Sequence, residues 1–310
     1  MCDLEMQKYL FDLQGYLVIE DALNSNEISR LNSLIDLQGL PTPDKFMRFG
    51  SAPYKSKLEE IVNALKGDEY RELQEKGVVE AKKNYQGTLS NYQLTEPQSG
   101  FLQWGKPFCD LLDHPQIMPI LQFILGDCFR LDRLYGINMQ EGMGGGELHA
   151  DYGPMRPPIS SLPGKIFHPP NIEITQGFTV VAWNLSDTGP DTGGFCCIPG
   201  SHKSNLRVPE KILVKRTEAS CVVIPAAPAG SVTLFSEALV HGTAPWRGKH
   251  HRRSLLYKYC VSNTAWMPGR VKPPGNVKLT NRQKIFFLPP ADPHRHFPSL
   301  FEGLEDKEEV

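Results

Sequence analysis

The stretch GGGELHADYG, residues 144–153, places a histidine and an aspartate two positions apart inside a glycine-rich run. Alternate residues of a β-strand point to the same side, so His149 and Asp151 could direct an imidazole and a carboxylate toward one point. Both groups bind transition metals. A histidine and an aspartate at this spacing often arise by chance. In addition, two side chains bind a catalytic metal poorly, so a metal site requires a third ligand from elsewhere in the sequence.

His241 is the best candidate for that third ligand. It lies in GSVTLFSEALVHGTAPW, where a turn and a short strand precede a histidine at the start of the next strand. Two histidines and one carboxylate on one face of the metal are typical of non-haem Fe(II) sites. Arg252, eleven residues after His241, opens a further strand, and a guanidinium can bind a dicarboxylate with two parallel hydrogen bonds. The set favours an iron and keto-acid site, with a buried structural histidine and surface arginines as the alternative.

The elements that must position these residues change character along the chain. Residues 1–127 are predicted to be mostly helical, with a short strand at Tyr16–Ile19 and a helix capped by Asn24 or Ser25. Later segments are short, β-branched and aromatic, and are separated by Gly and Pro, which predicts a sandwich or jelly roll. The predicted helices include 55–66, 69–83 and two within 107–127, and the predicted strands are 129–140, 147–151, 177–185, 194–198, 221–224, 231–235 and 254–262.

No internal repeat or flexible linker divides the sequence. We therefore predict one domain over residues 1–310, in which the helical segment 1–127 packs on core strands 128–262 and residues 263–310 form a C-terminal wrap. The proline-rich span 152–176 is predicted to be a lid, because loops of this length in a compact domain are usually functional.

Charge and cysteine content restrict the possible partners. The chain carries 33 Lys and Arg against 35 Asp and Glu, a net charge of −2, which argues against binding to nucleic acid or to a membrane surface. Its 7 cysteines include no C-x-x-C pair, which indicates reduced thiols. No signal peptide, apolar membrane span or C-terminal peroxisomal signal is recognisable, so we predict a cytoplasmic location. The sequence does not predict the oligomeric state.

Four segments together resemble the phytanoyl-CoA dioxygenase family. They are GYLVIEDALNSNEI, ELHADYG, VVAWNLSDTGPDTGGFCCIPGSHKSN and HGTAPWRGKHHRRSLLYKY, and the resemblance covers roughly residues 11–262. It implies an Fe(II)- and 2-oxoglutarate-dependent oxygenase that is mainly β with flanking α: a double-stranded β-helix core (jelly-roll, cupin-like) with N-terminal helices and a lid insertion. The family's catalytic metal ligands fall on His149, Asp151 and His241, and its 2-oxoglutarate arginine falls on Arg252.

The resemblance also implies further site residues. Thr243, two residues after the distal histidine, corresponds to a hydroxyl that helps to bind 2-oxoglutarate, and Asn138 and Trp183 are implied as cofactor-binding residues. Tyr152 follows the aspartate ligand and is a candidate substrate-binding residue, with packing beneath the lid as the alternative. Arg253 is predicted to face away from the site and to form a surface contact or an ion pair.

The implied reaction consumes O2 and hydroxylates a C–H bond of a small-molecule substrate, with release of succinate and CO2. The retained carboxylate ligand favours hydroxylation over halogenation. Desaturation or ring formation with the same cofactors, and a non-enzymatic ligand-binding relative, stay open as alternatives, whereas Arg252 argues against a cupin-type metal enzyme that lacks 2-oxoglutarate. The substrate cannot be read from the sequence, and we expect the lid 152–176 and the segment 42–105 to select it.

Overall fold

The structure is a computed structural model, which describes residues 3–40, 47–52, 98–151, 178–204, 206, 208–266 and 269–303. The helices predicted at 55–66 and 69–83, the predicted lid 152–176 and Tyr152 lie outside the described residues. The described helices are α1 (Leu4–Gln14), α2 (Ser25–Asp36), α3 (Lys106–Asp110), α4 (Met118–Leu125), α5 (Glu210–Lys215) and α6 (Asn281–Ile285), with 3-10 turns at Gly100–Trp104, Ser201–Lys203 and Arg216–Glu218. The described strands are β1 (Tyr16–Ile19), β2 (Met47–Ala52), β3 (Phe129–Met139), β4 (Phe178–Asn184), β5 (Gly194–Cys197), β6 (Val232–Ser236), β7 (His241–Ala244) and β8 (Arg252–Val261).

The strands form two antiparallel sheets. Six of them lie in the order β1-β6-β4-β8-β3-β2, and β5 pairs with β7 in a second sheet. Non-sequential neighbours dominate the large sheet, so its register is fixed by long-range pairing and not by hairpins. The fold is therefore a mixture of antiparallel β-structure and helices. Among the described helices, none is long and apolar enough to cross a membrane.

The N-terminal helix α2 begins where its capping residues place it. The Asn24 side chain accepts the backbone N–H groups of Asn26 and Glu27, at 3.0 and 3.1 Å, and the Glu27 carboxylate accepts the N–H of Asn24 at 2.8 Å. This reciprocal box satisfies N–H groups that a helix end otherwise leaves unpaired. The helix therefore begins where it was predicted to begin, and Leu31 and Ile35 are buried on one side of it.

Alternate residues give the six-stranded sheet two different faces. Trp183, Leu255 and Tyr257 belong to a large apolar cluster that includes Phe108 of α3 and Ile120 of α4. We call this side the outer face. Ala182 and Leu256, each one position along from these, belong to a second cluster that includes side chains of the two-stranded sheet. We call this side the inner face. The candidate site lies there.

Three local expectations are corrected by the structure. The segment predicted as a strand at 147–151 makes only an isolated bridge between His149 and His241, and 221–224 makes only a bridge between Cys197 and Val223. Short segments that cross a sheet edge once do not form a ladder, and the glycines before Glu147 weaken strand formation further. In addition, β2 lies within the region predicted to be mostly helical, because long-range pairing with β3 outweighs the local pattern.

Candidate active site

The two histidines of the motif are held together by their own backbones. His149 donates its N–H to the carbonyl of His241, and His241 donates to that of His149, both at 2.8 Å. The two imidazole centroids lie 4.5 Å apart. A Cβ on Gly145 would lie 1.9 Å from the carbonyl oxygen of Thr243. The glycine run before the H-x-D motif therefore permits a close backbone approach that any side chain would block.

Hydrogen bonds also fix which imidazole nitrogens remain available. The Nδ1 atom of His149 lies 2.9 Å from the carbonyl oxygen of Glu147, and Nδ1 of His241 lies 2.8 Å from that of Leu239. Because a carbonyl oxygen only accepts, each Nδ1 carries the proton in these bonds, and each neutral ring keeps its lone pair on Nε2. Burial lowers the pKa of His241 to about 3, with His149 adding to the effect, so this imidazole is neutral at physiological pH. Such neutral, oriented rings suit metal binding.

Asp151 lies beside the histidines, and its carboxylate contacts the buried side chains of Glu237 and Lys258. Its N–H donates to the carbonyl of Glu237 at 2.9 Å, and its Oδ2 lies 3.6 Å from Nζ of Lys258. The same ammonium lies 2.5 Å from Oε1 of Glu237. Burial alone would raise the pKa of Asp151, but the hydrogen bond with Glu237, the charge of Lys258 and the nearby imidazoles hold it below its usual range. Burial raises the pKa of Glu237 to about 8.

The carboxylate of Asp151 is thus engaged by Glu237 and Lys258. Within the described part of the chain, no three His, Cys, Asp or Glu side chains are already arranged so that they could hold a metal ion. The two histidines offer one nitrogen donor each, Nε2, because each Nδ1 is hydrogen-bonded to a carbonyl oxygen. Neither Glu237 nor Lys258 was predicted from the sequence, because only long-range packing brings them to Asp151.

Arg252 begins β8 and is buried, with 4% of its surface exposed. Its Nη1 lies 3.4 Å from Sδ of Met139, and its buried Nε has no hydrogen-bond partner. The described residues provide no carboxylate within ion-pair distance of it. Burial lowers its pKa to about 10, so the guanidinium is still charged at neutral pH. An isolated buried charge is costly, so an anion bound at this position would stabilise the guanidinium.

Arg253 points to the other side of the strand, as predicted. Its Nη2 lies 2.6 Å from Oδ1 of Asp36, and its Nη1 donates to Oδ1 of Asn32 at 3.2 Å. The ion pair with α2 confirms the predicted register of β8, in which Arg252 faces inward and Arg253 outward.

A buried polar group next to Arg252 was missed by the sequence reasoning. Oγ of Ser254 donates to Oδ1 of Asn184 at 3.2 Å, and Nδ2 of Asn184 donates to Oγ1 of Thr233 at 3.1 Å. Since Ser254 lies two residues after Arg252, the two side chains share the inner face. The alternation of side chains along a strand could have identified Ser254 on β8 as an inner-face residue. Asn184 on β4 is its partner across the sheet.

The remaining predicted site residues lie in two different places: Thr243 is near His241, whereas Asn138 and Trp183 are on the outer face. Thr243 lies two residues after His241 on β7, on the same side of that strand. Asn138 pairs across the sheet with Arg253, and Trp183 lies in the outer apolar cluster. Both are therefore on the face opposite to Arg252, because each is one position out of register with the inner residues. The predicted cofactor-binding roles of Asn138 and Trp183 gain no support from their positions.

Comparison with known proteins gives a family match over most of the chain. A model of the family described as phytanoyl-CoA dioxygenase (PhyH) matches residues 11–254. A search among curated proteins gave no significant match.

Three similar solved structures are of proteins from Streptomyces species. HygX from Streptomyces hygroscopicus, with nickel and 2-oxoglutarate bound, is 18% identical, with a TM-score of 0.57 and coverage of 84% of this chain and 88% of that one. HygX with nickel, 2-oxoglutarate and hygromycin B bound is 18% identical, with a TM-score of 0.54 and coverage of 88% and 96%. AviO1 from Streptomyces viridochromogenes Tue57 is 16% identical, with a TM-score of 0.51 and coverage of 86% and 99%. At these identities, the likeness shows a shared fold.

Proposed function

The chain belongs to the phytanoyl-CoA dioxygenase family, and on that premise we propose that it is an Fe(II)- and 2-oxoglutarate-dependent oxygenase that hydroxylates a C–H bond of a small molecule. The observation that carries the proposal is Arg252, a buried cation that has no carboxylate partner among the described residues. A guanidinium binds a carboxylate through two parallel hydrogen bonds. The distal carboxylate of 2-oxoglutarate is an anion of the required shape and charge.

The histidine pair supports the metal half of the proposal. Nε2 of His149 and Nε2 of His241 are the nitrogens that would hold Fe(II), since both Nδ1 atoms are committed to carbonyl oxygens. Asp151 would supply the third ligand once its carboxylate turns from Lys258 toward the imidazoles. When bound, Fe(II) with 2-oxoglutarate and O2 supplies the oxidising chemistry that converts a C–H bond into an alcohol, with release of succinate and CO2.

The remaining inner-face residues orient the keto acid. In the proposal, Arg252 binds its distal carboxylate, and Thr243 adds a hydroxyl from β7. The buried set Asn184, Thr233 and Ser254 forms a polar wall beside the guanidinium, since each is hydrogen-bonded to another member of the set. This wall excludes bulk water from the charge on Arg252, which strengthens the ion pair with the incoming carboxylate.

The architecture supports a double-stranded β-helix. Leu256 of the six-stranded sheet and Cys197 of the two-stranded sheet belong to one buried cluster, so the two sheets enclose a common interior. We take residues 1–310 as a single catalytic domain around it. A small-molecule substrate is consistent with the hygromycin B that HygX binds together with 2-oxoglutarate.

Anaerobic titration tests the proposal directly. We expect Fe(II) and 2-oxoglutarate together, but neither alone, to give a weak visible charge-transfer band. On admission of O2, the protein should release succinate. Failure of 2-oxoglutarate to bind in the presence of Fe(II) would contradict the proposal and leave a ligand-binding relative without enzymatic activity. Mass spectrometry of molecules that co-purify with the protein would then identify either the substrate or that ligand.

A further inference from the structure

Two positive side chains stand directly opposite each other on the inner face. Arg133 on β3 pairs with Lys258 on β8. Like charges at opposed positions of an antiparallel pair destabilise a sheet. Carboxylates of the chain lie against Lys258, so the charge in this opposed pair that lacks an ion-pair partner among the described residues is that of Arg133.

Both cations converge on one aromatic ring. The guanidinium carbon of Arg133 lies 5.5 Å from the ring centroid of Tyr135, and Nζ of Lys258 lies 5.7 Å from it. A third cation, Arg48 of β2, lies 4.4 Å from the same centroid. We call Arg48, Arg133 and Lys258 the cationic cluster. Three adjacent strands, β2, β3 and β8, thus direct positive charge to one place.

Among the described residues, the carboxylates near the cationic cluster pair with Lys258 or with Arg130, and none lies within ion-pair distance of Arg133. Glu237 and Asp151 both lie against Lys258. Asp132, next to Arg133 in sequence, is instead paired with Arg130, 3.1 Å from its Nη1. That leaves Arg133 without an ion pair to any described residue, and its buried Nε has no hydrogen-bond partner.

The cationic cluster is also separate from Arg252, the residue proposed to bind 2-oxoglutarate. Lys258 lies six positions after Arg252 on β8, so the two Cα atoms are about 20 Å apart along the strand. Arg252 therefore marks one end of the inner face, and the cationic cluster marks the other. Asp151, 3.6 Å from Lys258, connects the cluster to the candidate metal ligands.

We propose that the cationic cluster binds an oxyanionic group of the substrate, a carboxylate or a phosphate, and so holds the substrate beside the metal ligands. This inference rests on the proposed function for the identity of the ligand as a substrate. The anion site itself belongs to the chain's own residues and does not require a metal. Substrates of this class would carry their negative group at a fixed distance from the carbon that reacts.

The test uses inorganic phosphate and acetate as separate probes. The midpoint of thermal unfolding of the 310-residue chain is measured against the concentration of each anion at constant ionic strength, without metal and with Co(II) and 2-oxoglutarate. The variants are Arg133→Gln, which removes the unpaired charge, and Arg295→Gln, which removes an exposed charge far along the chain. The affinity for 2-oxoglutarate is measured in parallel.

The wild type and Arg295→Gln should be stabilised by at least one probe, also when 2-oxoglutarate is saturating. Arg133→Gln should bind that probe about tenfold more weakly while its affinity for 2-oxoglutarate stays within about twofold. Without anion, Arg133→Gln should unfold at the same or a higher temperature than the wild type, since a repulsion has been removed. The more strongly bound probe identifies the group as phosphate or carboxylate.

Equal stabilisation of all three proteins by both probes would overturn the proposal, because it would reflect a general salt effect. Stabilisation that disappears when 2-oxoglutarate is saturating would also overturn it, since the anion would then occupy the keto-acid site. Loss of 2-oxoglutarate binding in the wild type would count against the proposed function instead, and the metal-free titration would still decide whether the anion site exists.

Discussion

The outer and inner faces of the six-stranded sheet are made by alternate residues of the same strands. Their polar side chains nevertheless differ in the hydrogen bonds and ion pairs that they form within the chain. On the outer face, the hydroxyls of Tyr257 and Tyr259 donate to the carbonyls of Phe108 and Leu112, at 2.7 and 2.8 Å, and Arg253 pairs with α2. On the inner face, Arg252 and Arg133 find no carboxylate among the described residues. These outer-face side chains bind to partners within the chain, whereas the two inner-face guanidiniums have no carboxylate within ion-pair distance among the described residues.

The strongest test of this contrast removes the candidate metal ligands. We expect His149→Ala, Asp151→Ala or His241→Ala to abolish succinate release and to weaken Co(II) binding by more than the roughly 10–100-fold that loss of a supporting group costs. The fold should remain, as judged by circular dichroism. His202→Ala is the control: its Nε2 lies 3.0 Å from the carbonyl oxygen of Asp12, so its loss should lower stability and spare Co(II) binding. Normal Co(II) binding and succinate release in all three ligand variants would break the comparison.

Substitutions of Glu237 on the inner side and of Asp36 on the outer side compare how much each carboxylate contributes to the free energy of unfolding. Glu237→Ala leaves the buried Lys258 ammonium with Asp151 as its remaining carboxylate among the described residues, and we expect a loss of about 3 kcal/mol in the free energy of unfolding, since removing one partner of a buried charge is costly. Asp36→Ala breaks the outer pair with Arg253, but the Asp36 side chain is 62% exposed, so about 1 kcal/mol or less should be lost. Urea unfolding measures both. Equal losses would show that the inner pair is no more desolvated than the outer one.

Substitutions of the adjacent residues Arg252 and Arg253 compare the two faces in 2-oxoglutarate binding. Arg252→Lys keeps the charge but loses the planar fork, so the KM for 2-oxoglutarate should rise about tenfold or more, equivalent to about 1.4 kcal/mol. Arg253→Lys, one residue away on the outer face, should leave that KM nearly unchanged. Steady-state assays of succinate formation measure both variants. If Arg253→Lys had the larger effect, the assignment of the two faces would be reversed.

The smallest effect is expected at the cap of α2. Asn24→Ala removes the hydrogen bonds to the first turn, and helix capping of this kind contributes about 1 kcal/mol. Because α2 packs on the outer face and provides Asp36, the variant should unfold at a lower urea concentration while its affinity for 2-oxoglutarate stays that of the wild type. A loss of 2-oxoglutarate affinity would show that the two faces are coupled through β8.

Local patterns were sufficient where local interactions decide the structure. The cap at Asn24, the strand Tyr16–Ile19 and the opposite directions of Arg252 and Arg253 were all predicted, because each depends on neighbours within a few residues or on the period of two. The strand β2 was not, since its pairing with β3 is long-range.

Site residues that depend on tertiary register were harder to predict. Asn138 and Trp183 lie on the outer face, one position along the strand from inner-facing residues, and their cofactor-binding roles stay predictions. Glu237 and Lys258 carry no local signal at all: 21 positions separate them, and only the packing of the strands brings their side chains together next to Asp151.

The reciprocal bonds between His149 and His241 bear on how readily a metal could exchange. The two residues are distant in sequence, and closing a long loop between two ligands carries an entropic penalty. Here two backbone N–H to carbonyl hydrogen bonds, each 2.8 Å long, join the two residues in the folded chain. The entropic penalty is therefore part of folding and not of metal binding. A departing ion would therefore leave its two nitrogen donors in place, and recapture would need neither a conformational search nor refolding. In kinetic terms, such a site favours fast reloading over slow, folding-coupled uptake.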